Sequence, residues 1–252
     1  MRPCGRLIQI FFGLVLLPSV SMAKSVKPAT RPVRTIVNVE QARQFLAANL
    51  EIFDGQTLFC GCEVLDTMIN TKPCRYKIQK DRERAMQVVW QSVVSPDTYG
   101  PHFREWNRGS RKCVKDGHRY KGIECARTNP EFAKMEADLY NLFPESGEMS
   151  DLVSPLSAKE LKKSEYDIGE CKLKIAGAYY EPSDATKGVI ARTVLNFAQR
   201  YSHLVVLSKA QRRMYLKWDQ LFPVSKIECI RWQKFATQML YQHRSIKKCA
   251  KL

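Results

Sequence analysis

The chain has 252 residues and a formal net charge of +16, because 41 lysines and arginines outnumber 25 aspartates and glutamates. This length is sufficient for one sizeable hydrophobic core or two small ones. After Leu17 no apolar segment is long enough to span a bilayer, so we expect no transmembrane anchor in the mature chain. The charge favours nucleic acid, anionic lipid headgroups or an acidic protein surface as the partner.

The first 23 residues are organised like a cleaved secretory signal. Two arginines precede an apolar run from Leu7 to Leu17, and small residues lead up to Ala23. We predict cleavage near Ala23 and a periplasmic or secreted mature protein. Residues 24–37 are basic and contain two prolines, which predicts a disordered leader. Residues 38–252 are predicted to form a single domain.

The cysteines of the mature chain predict a disulfide framework. An even number of cysteines in an exported protein is typical of disulfides formed in an oxidising compartment. The candidates are Cys60, Cys62, Cys74, Cys113, Cys125, Cys171, Cys229 and Cys249. We expect Cys113 to pair with Cys125, since both lie in one loop, and Cys74 to pair with Cys60 or Cys62. A metal held by Cys60 and Cys62 is the alternative.

Local patterns predict several elements in the first half of the chain. Asn38 is a helix cap, followed by apolar residues at helical spacing, and Val88–Val94 has the valine-rich composition of a strand. Asn129 and the proline after it predict a helix whose apolar face extends to Leu142 and which Pro144 ends. The polar stretch 145–163 is predicted to be a surface loop.

The second half predicts three more helices, which carry most of the core. The first covers residues 188–201. Ser208 with Gln211 forms a capping box for the second, whose buried face we predict to include Leu221. The third begins after Ser225, and its apolar stripe extends to His243. Together with a small sheet in the first half, these elements predict a mixed α/β, helix-rich fold.

Six stretches of the sequence resemble, in their order and spacing, the endonuclease I family. They are LFCGCEV (58–64), WQSVVSP (90–96), CVKDGHR (113–119), MEADLYNLFPESGEMS (135–150), GVIARTV (188–194) and WDQLFPVSKIEC (218–229). The resemblance covers roughly residues 41–249. Proteins of this family are secreted or periplasmic, magnesium-dependent nucleases without sequence specificity, and the resemblance implies a mixed α/β fold with a ββα-metal finger of the His-Me type.

The resemblance also implies a site, and this sequence departs from it. Asn141 stands at the position of the metal-ligand asparagine, and Arg119 at that of the arginine that supports the phosphate. The glutamate and histidine that close the family's active-site strand are replaced by Gln91 and Ser92. Asp138, three residues before Asn141, is expected to pair with Arg119 or to cap local backbone.

These two replacements remove chemistry that the reaction needs. A general base needs a pKa near the working pH, which an imidazole has and a serine hydroxyl lacks. Magnesium prefers anionic oxygen ligands, whereas Gln91 and Asn141 are neutral amides. The sequence therefore predicts a degenerate His-Me finger and a catalytically inactive protein. No cofactor is expected, and magnesium is the cofactor only if the chain is active.

Three functional hypotheses remain. The leading one is a structural or interaction subunit of a cell-envelope assembly, such as a secretion or DNA-transfer machine, with other envelope proteins as partners. The second is an active, magnesium-dependent periplasmic endonuclease. The third is a non-catalytic nucleic-acid binder that uses the basic surface alone.

Overall fold

A computed structural model describes residues 35–239 and 241–251 of the chain. The predicted signal peptide and residues 24–34 of the predicted leader lie outside this range. Thr35–Val37 are described, and Ile36 is already buried in the core. Its neighbour Val37 donates its backbone N–H to the side chain of Gln41 at 3.0 Å. The packed structure thus includes Ile36, two residues before the boundary predicted from the sequence.

The described residues form ten α-helices and nine short strands. The helices are α1 (Val39–Ala47), α2 (Arg82–Met86), α3 (Pro96–Tyr99), α4 (Arg104–Arg108), α5 (Ile123–Ala126), α6 (Pro130–Glu136), α7 (Gly147–Val153), α8 (Asp184–Arg200), α9 (Lys209–Leu221) and α10 (Lys226–Ala236). The strands are β1 (Glu63–Leu65), β2 (Met68–Asn70), β3 (Val88–Ser92), β4 (Val114–Lys115), β5 (His118–Arg119), β6 (Leu142–Ser146), β7 (Ser157–Ala158), β8 (Lys174–Ala176) and β9 (Tyr179–Glu181). The mixed α/β architecture predicted from the sequence is confirmed.

The strands form several small sheets. β3 and β6 pair antiparallel in a two-stranded sheet, with Val88 opposite Ser146 and Ser92 opposite Leu142. β9 lies between β7 and β8, parallel to the first and antiparallel to the second. β1–β2 and β4–β5 are separate hairpins. One end of the β3–β6 pair carries the site described below, and helix α7 follows β6 directly.

The predicted helix caps are confirmed in the structure. The Asn38 side chain accepts the N–H of Gln41 at the start of α1. Ser208 with Gln211 forms a complete capping box at the start of α9, and Ser225 with Glu228 forms another at the start of α10. Each side-chain bond satisfies a backbone donor that the first helical turn leaves unpaired.

Three sequence predictions need correction in their extent. Helix α6 ends at Glu136, and Leu142 belongs to strand β6, because Asp138 accepts the N–H of Tyr140 and turns the chain into a 3₁₀ segment, Leu139–Asn141. The predicted loop 145–163 instead contains the end of β6, helix α7 and strand β7. On α9, Leu221 is 59% exposed because it is the last residue of the helix.

The last helix also ends earlier than its apolar stripe suggests. α10 stops at Ala236, so His243 lies beyond it. His243 is nevertheless buried, and its ring stacks on that of Trp232 with a centroid distance of 4.0 Å. Burial lowers the pKa of His243 well below its usual value, so it stays neutral and serves the core.

The eight cysteines form four disulfides, as predicted. The bonds are Cys60–Cys171, Cys62–Cys74, Cys113–Cys125 and Cys229–Cys249. The predicted pairing of Cys113 with Cys125 is confirmed. Of the two candidate partners of Cys74, the structure shows that Cys62 forms the disulfide and Cys60 does not. Because Cys60 and Cys62 belong to different disulfides, the alternative of a metal held by these two thiolates is wrong. Within the described residues, no helix combines the length and the apolar character needed to cross a membrane.

Candidate functional site

The candidate site lies at the end of the β3–β6 strand pair. Gln91 and Ser92 close β3 and stand opposite Phe143 and Leu142 of β6. Asn141 is the residue immediately before β6, so the antiparallel pairing brings it beside the chain that continues from Ser92. The structure therefore places three of the four predicted site residues at one end of this pair.

The side chain of Gln91 is held by the protein itself. It is 4% exposed, and its Oε1 accepts hydrogen bonds from the hydroxyl of Ser150 at 2.6 Å and from that of Ser154 at 3.3 Å. Its Nε2 donates to the backbone carbonyl of Ser92 at 2.7 Å. Both ends of the amide are thus used within the fold, as expected of a buried polar group.

Asn141 is also fixed by internal bonds. It is fully buried, its Oδ1 accepts the N–H of Val94 at 2.8 Å, and its Nδ2 donates to the carbonyl of Val94 at 3.0 Å. The backbone carbonyl of Asn141 in turn accepts the N–H of Val93 at 3.0 Å. These bonds continue the strand pairing beyond Ser92. The Asn141 side chain pairs with the backbone of Val94 in the way that a residue of a neighbouring strand does.

Arg119 lies on a different element. It is exposed on β5, in the β4–β5 hairpin that the Cys113–Cys125 disulfide closes. Within the described residues it makes no hydrogen bond or ion pair with Gln91, Ser92 or Asn141. The expected pairing of Asp138 with Arg119 is wrong, and the alternative expectation, a local backbone cap, is confirmed.

The donor set at this site does not fit magnesium. The two oxygens that are offered belong to the neutral amides of Gln91 and Asn141, and each already accepts a hydrogen bond at 2.8 Å or less. Magnesium binds anionic oxygen preferentially and demands near-octahedral geometry, which two bonded amides do not supply. Among the described residues, no cluster of three or more histidine, cysteine or acidic side chains is placed to hold a metal.

Two buried acids near the strand pair serve the structure. Glu145 of β6 accepts the N–H groups of Phe59 and Ser146, both at 2.8 Å, and burial raises its pKa to about 7. Burial likewise raises the pKa of Asp138 to about 6, against the lowering effect of its hydrogen bonds from Tyr241 and the backbone of Tyr140. Both carboxyls hold neighbouring chain segments in place.

Comparison with known proteins decides the family. A family model described as Endonuclease I matches residues 106–244. The chain is 31% identical over 204 residues to Endonuclease-1 of Buchnera aphidicola subsp. Acyrthosiphon pisum (strain APS), covering 79% of this chain and 76% of that protein. The chain belongs to the endonuclease I family. The family match includes Arg119 and Asn141 and begins after β3, so Gln91 and Ser92 precede it.

Other relatives in the endonuclease I family come from Aeromonas hydrophila. An extracellular deoxyribonuclease is 28% identical over 182 residues, which cover 69% of this chain and 73% of that protein. A periplasmic deoxyribonuclease is 26% identical over 211 residues, which cover 79% of this chain and 83% of the relative. These matches confirm the resemblance inferred from the six sequence stretches.

Residues that sequence reasoning missed complete the site of this endonuclease I family member. Ser150 on α7 and Ser154 just after it hold Gln91, and the backbone of Val94 holds Asn141. The two serines are four residues apart, so they share a helix face, but that spacing alone does not indicate a partner. Only the fold brings α7 against β3.

Proposed function

We propose that this member of the endonuclease I family has kept the fold without the hydrolytic reaction and acts as a binding subunit in a cell-envelope assembly. On this proposal the β3–β6 pair with α7 is a degenerate His-Me finger. It retains two antiparallel strands and a helix, while its polar groups maintain the fold.

One observation carries the proposal: the amides of Gln91 and Asn141 are both occupied by internal hydrogen bonds. Ser92, at the expected position of the general base, has a hydroxyl that needs a base of its own to lose a proton at neutral pH. No histidine is among the residues that line the cavity beside Gln91. Loss of a positioned acid–base group typically lowers a rate by ~10²–10⁴, and loss of the metal removes charge stabilisation at the phosphate.

The test is a nicking assay on supercoiled plasmid DNA with magnesium, manganese or calcium. We expect no cleavage by the purified mature chain above the level of an Asn141→Ala variant prepared in parallel. Metal-dependent nicking by the wild-type protein that Asn141→Ala abolishes would establish an active nuclease. An RNA substrate run beside the plasmid extends the test to the other nucleic acid.

Location outside the cytoplasm is supported by three observations. The sequence begins with the features of a secretory signal, the fold holds four disulfides, and relatives are named as periplasmic and extracellular deoxyribonucleases. Crosslinking in intact cells, followed by purification at high salt, is expected to capture envelope proteins through apolar contacts. Recovery of the chain alone, or of nucleic acid alone, contradicts the assembly role.

A second candidate function, non-catalytic nucleic-acid binding, is favoured by the surface around the β4–β5 hairpin. Between residues 104 and 121 the chain has seven exposed basic side chains and only two acids. The basic residues are Arg104, Arg108, Arg111, Lys112, Lys115, Arg119 and Lys121. Within the described residues none of the seven is in an ion pair, so their charge is available to a polyanion.

Salt dependence tests this second candidate. Each phosphate contact contributes to the slope of log affinity against log salt concentration, so replacing three contact residues reduces that slope by roughly three. The variant is Lys115→Gln/Arg119→Gln/Lys121→Gln. The matched control, Lys162→Gln/Lys163→Gln/Lys172→Gln, removes the same charge from exposed positions elsewhere. Equal slopes for the two triple variants exclude the hairpin as the binding surface.

A further inference from the structure

A cavity of about 250 Å³ opens beside the end of β3. One wall is the chain from Gln91 to Thr98, and a second is the chain from Val153 to Ala158. Tyr180 of β9 and Tyr215 of α9 line it together with apolar residues of α8 and of the chain that follows it. Several separate parts of the fold therefore line one space.

Two tyrosine hydroxyls in this cavity lack partners. The Tyr180 and Tyr215 residues are 5% and 6% exposed. Among the described residues neither hydroxyl forms a hydrogen bond, and neither belongs to the fully enclosed polar atoms without a partner. Burial raises the pKa of both phenols, and Tyr215 raises that of Tyr180 further, so both remain protonated at neutral pH. Both hydroxyls therefore face the cavity and are available to donate a hydrogen bond to an acceptor placed inside it.

The cavity differs in charge from the rest of the molecule. In a chain of net charge +16, no lysine, arginine or histidine lines it, and its one acidic residue, Asp97, is exposed. Asp97 already accepts a hydrogen bond from the hydroxyl of Ser95 at 3.0 Å. A phosphate or other anion placed here has no cation to pair with and meets a carboxylate, so the charge disfavours nucleotides.

The lining combines hydroxyls and amides with apolar surface. Half of the lining residues carry a hydroxyl, amide or carboxyl group, and the others are apolar. The volume is below the roughly 300–1,000 Å³ of pockets for drug-sized ligands, so the occupant is smaller than those ligands. A sugar ring has this character, with hydroxyls around its edge and C–H groups on its faces, and the Tyr180 ring packs edge-on against Phe59 at 5.5 Å, which fixes its position.

We propose that this cavity binds a neutral sugar of one ring, whose oxygens accept hydrogen bonds from the hydroxyls of Tyr180 and Tyr215. The site goes beyond the function proposed above and does not depend on it. The cavity is also distinct from the basic surface around the β4–β5 hairpin, because no lysine, arginine or histidine lines the cavity.

The test is an NMR titration of ¹⁵N-labelled mature protein with N-acetylglucosamine and with glucose, using glucose 6-phosphate as the anionic probe. We expect saturable shifts at the backbone amides of Ser92, Ser157 and Tyr180 with the neutral sugars. A dissociation constant on the order of millimolar is expected for a small ligand held by a few neutral hydrogen bonds. Glucose 6-phosphate is expected to bind more weakly at these amides.

Three variants separate this site from surface adsorption. Tyr180→Phe/Tyr215→Phe removes only the two hydroxyls, so the fold is retained and affinity is expected to fall by roughly tenfold. Tyr99→Phe is the matched control, since its hydroxyl is also buried without a partner but lies outside the cavity, and its affinity is expected to equal that of the wild type. Ala158→Phe, which narrows the cavity, is expected to abolish the shifts.

Three results overturn the proposal. The first is the absence of saturable shifts at the cavity amides with both neutral sugars, which indicates that the cavity holds water only. The second is unchanged affinity in Tyr180→Phe/Tyr215→Phe. The third is tighter binding of glucose 6-phosphate than of glucose at the same amides.

Discussion

The side-chain amide of Asn141 forms a reciprocal pair of hydrogen bonds with the backbone of Val94, one accepted at 2.8 Å and one donated at 3.0 Å. An amide is suited to this role because it carries a donor and an acceptor side by side, as a peptide group does. A residue that the family resemblance assigns to a metal here extends a strand pair. This difference between a ligand and a structural amide can be tested.

Asn141→Asp is expected to lower the free energy of unfolding by roughly 2–4 kcal/mol. The carboxylate keeps the bond from the N–H of Val94 but places a charged oxygen against the Val94 carbonyl, in a fully buried position. Urea denaturation at neutral pH measures the loss. Asn38→Asp is the matched control, because the Asn38 side chain only accepts a bond at a helix cap, and we expect little change there. A stable Asn141→Asp protein with increased affinity for magnesium would assign Asn141 to a metal.

Gln91→Glu is expected to destabilise the protein at neutral pH by roughly 1–3 kcal/mol, because the bond donated to the Ser92 carbonyl is replaced by repulsion. The two serine hydroxyls still donate to the new carboxylate. Below the pKa of this introduced carboxyl, the protonated acid again donates to the Ser92 carbonyl, so the deficit shrinks as the pH falls. Parallel urea titrations of the variant and the wild type at pH 4.5 and 7.5 measure this change; a deficit that grows towards low pH contradicts it.

Asp138 is expected to make the folded state less stable as the pH rises from about 4 to about 7. Its pKa is raised from 3.8 to about 6 by burial, so the folded state binds the proton more tightly than the unfolded chain. The stabilising effect of this proton is complete below the unfolded pKa and is lost as the pH rises through the folded one. A shift of this size corresponds to roughly 2–3 kcal/mol.

Asp138→Asn isolates this contribution. The asparagine keeps an acceptor for the N–H of Tyr140 and a polar contact with the Tyr241 hydroxyl, but it does not titrate. The difference in unfolding free energy between variant and wild type is therefore expected to change between pH 4 and 7 in the variant's favour. A difference that stays constant over this range shows that Asp138 is not the titrating group. Glu145, with a pKa of about 7, contributes in the same direction and is unchanged in both proteins.

The disulfides are expected to differ in their contribution to stability. Cys60–Cys171 joins residues 111 apart, whereas Cys113–Cys125 joins residues 12 apart. In the chain-entropy account, a bond that closes a longer loop restricts the unfolded chain more, which predicts losses of roughly 4–5 and roughly 2–3 kcal/mol for the respective alanine pairs. Urea unfolding without reductant compares Cys60→Ala/Cys171→Ala with Cys113→Ala/Cys125→Ala. A larger loss for the second pair contradicts the entropic ranking.

Helix starts were predictable because the signal is local. The capping boxes at Ser208 and Ser225 need only residues three apart, and the structure contains both. The strand β6 was not predictable in the same way. Its partner β3 lies about fifty residues earlier, and Pro144 has the appearance of a helix terminator until the Trp90–Pro144 pairing is seen. Pairing over that distance is set by the tertiary fold.

The same distinction between local signals and tertiary contacts applies to the candidate site. Gln91, Ser92 and Asn141 were identified from their sequence context, and the fold brings them to one end of a strand pair. Their hydrogen-bond partners were not, since Ser150 reaches Gln91 across 59 residues of chain and Asn141 uses a backbone partner with no sequence signature. The cavity beside them is lined by several parts of the fold that are distant in the chain, so no local sequence pattern predicts it.

The connectivity of Cys60 has a consequence for how the protein matures. Cys60 precedes the other seven bonded cysteines in the chain, and its partner Cys171 is the sixth of the eight. Oxidation in the order in which thiols become available joins Cys60 to Cys62 or Cys74, because a thiolate attacks the partner within reach. A Cys60 that has paired in this way reaches Cys171 only by thiol–disulfide exchange after most of the chain has emerged. We therefore expect a host that supplies an oxidant without a disulfide isomerase to accumulate mispaired chains.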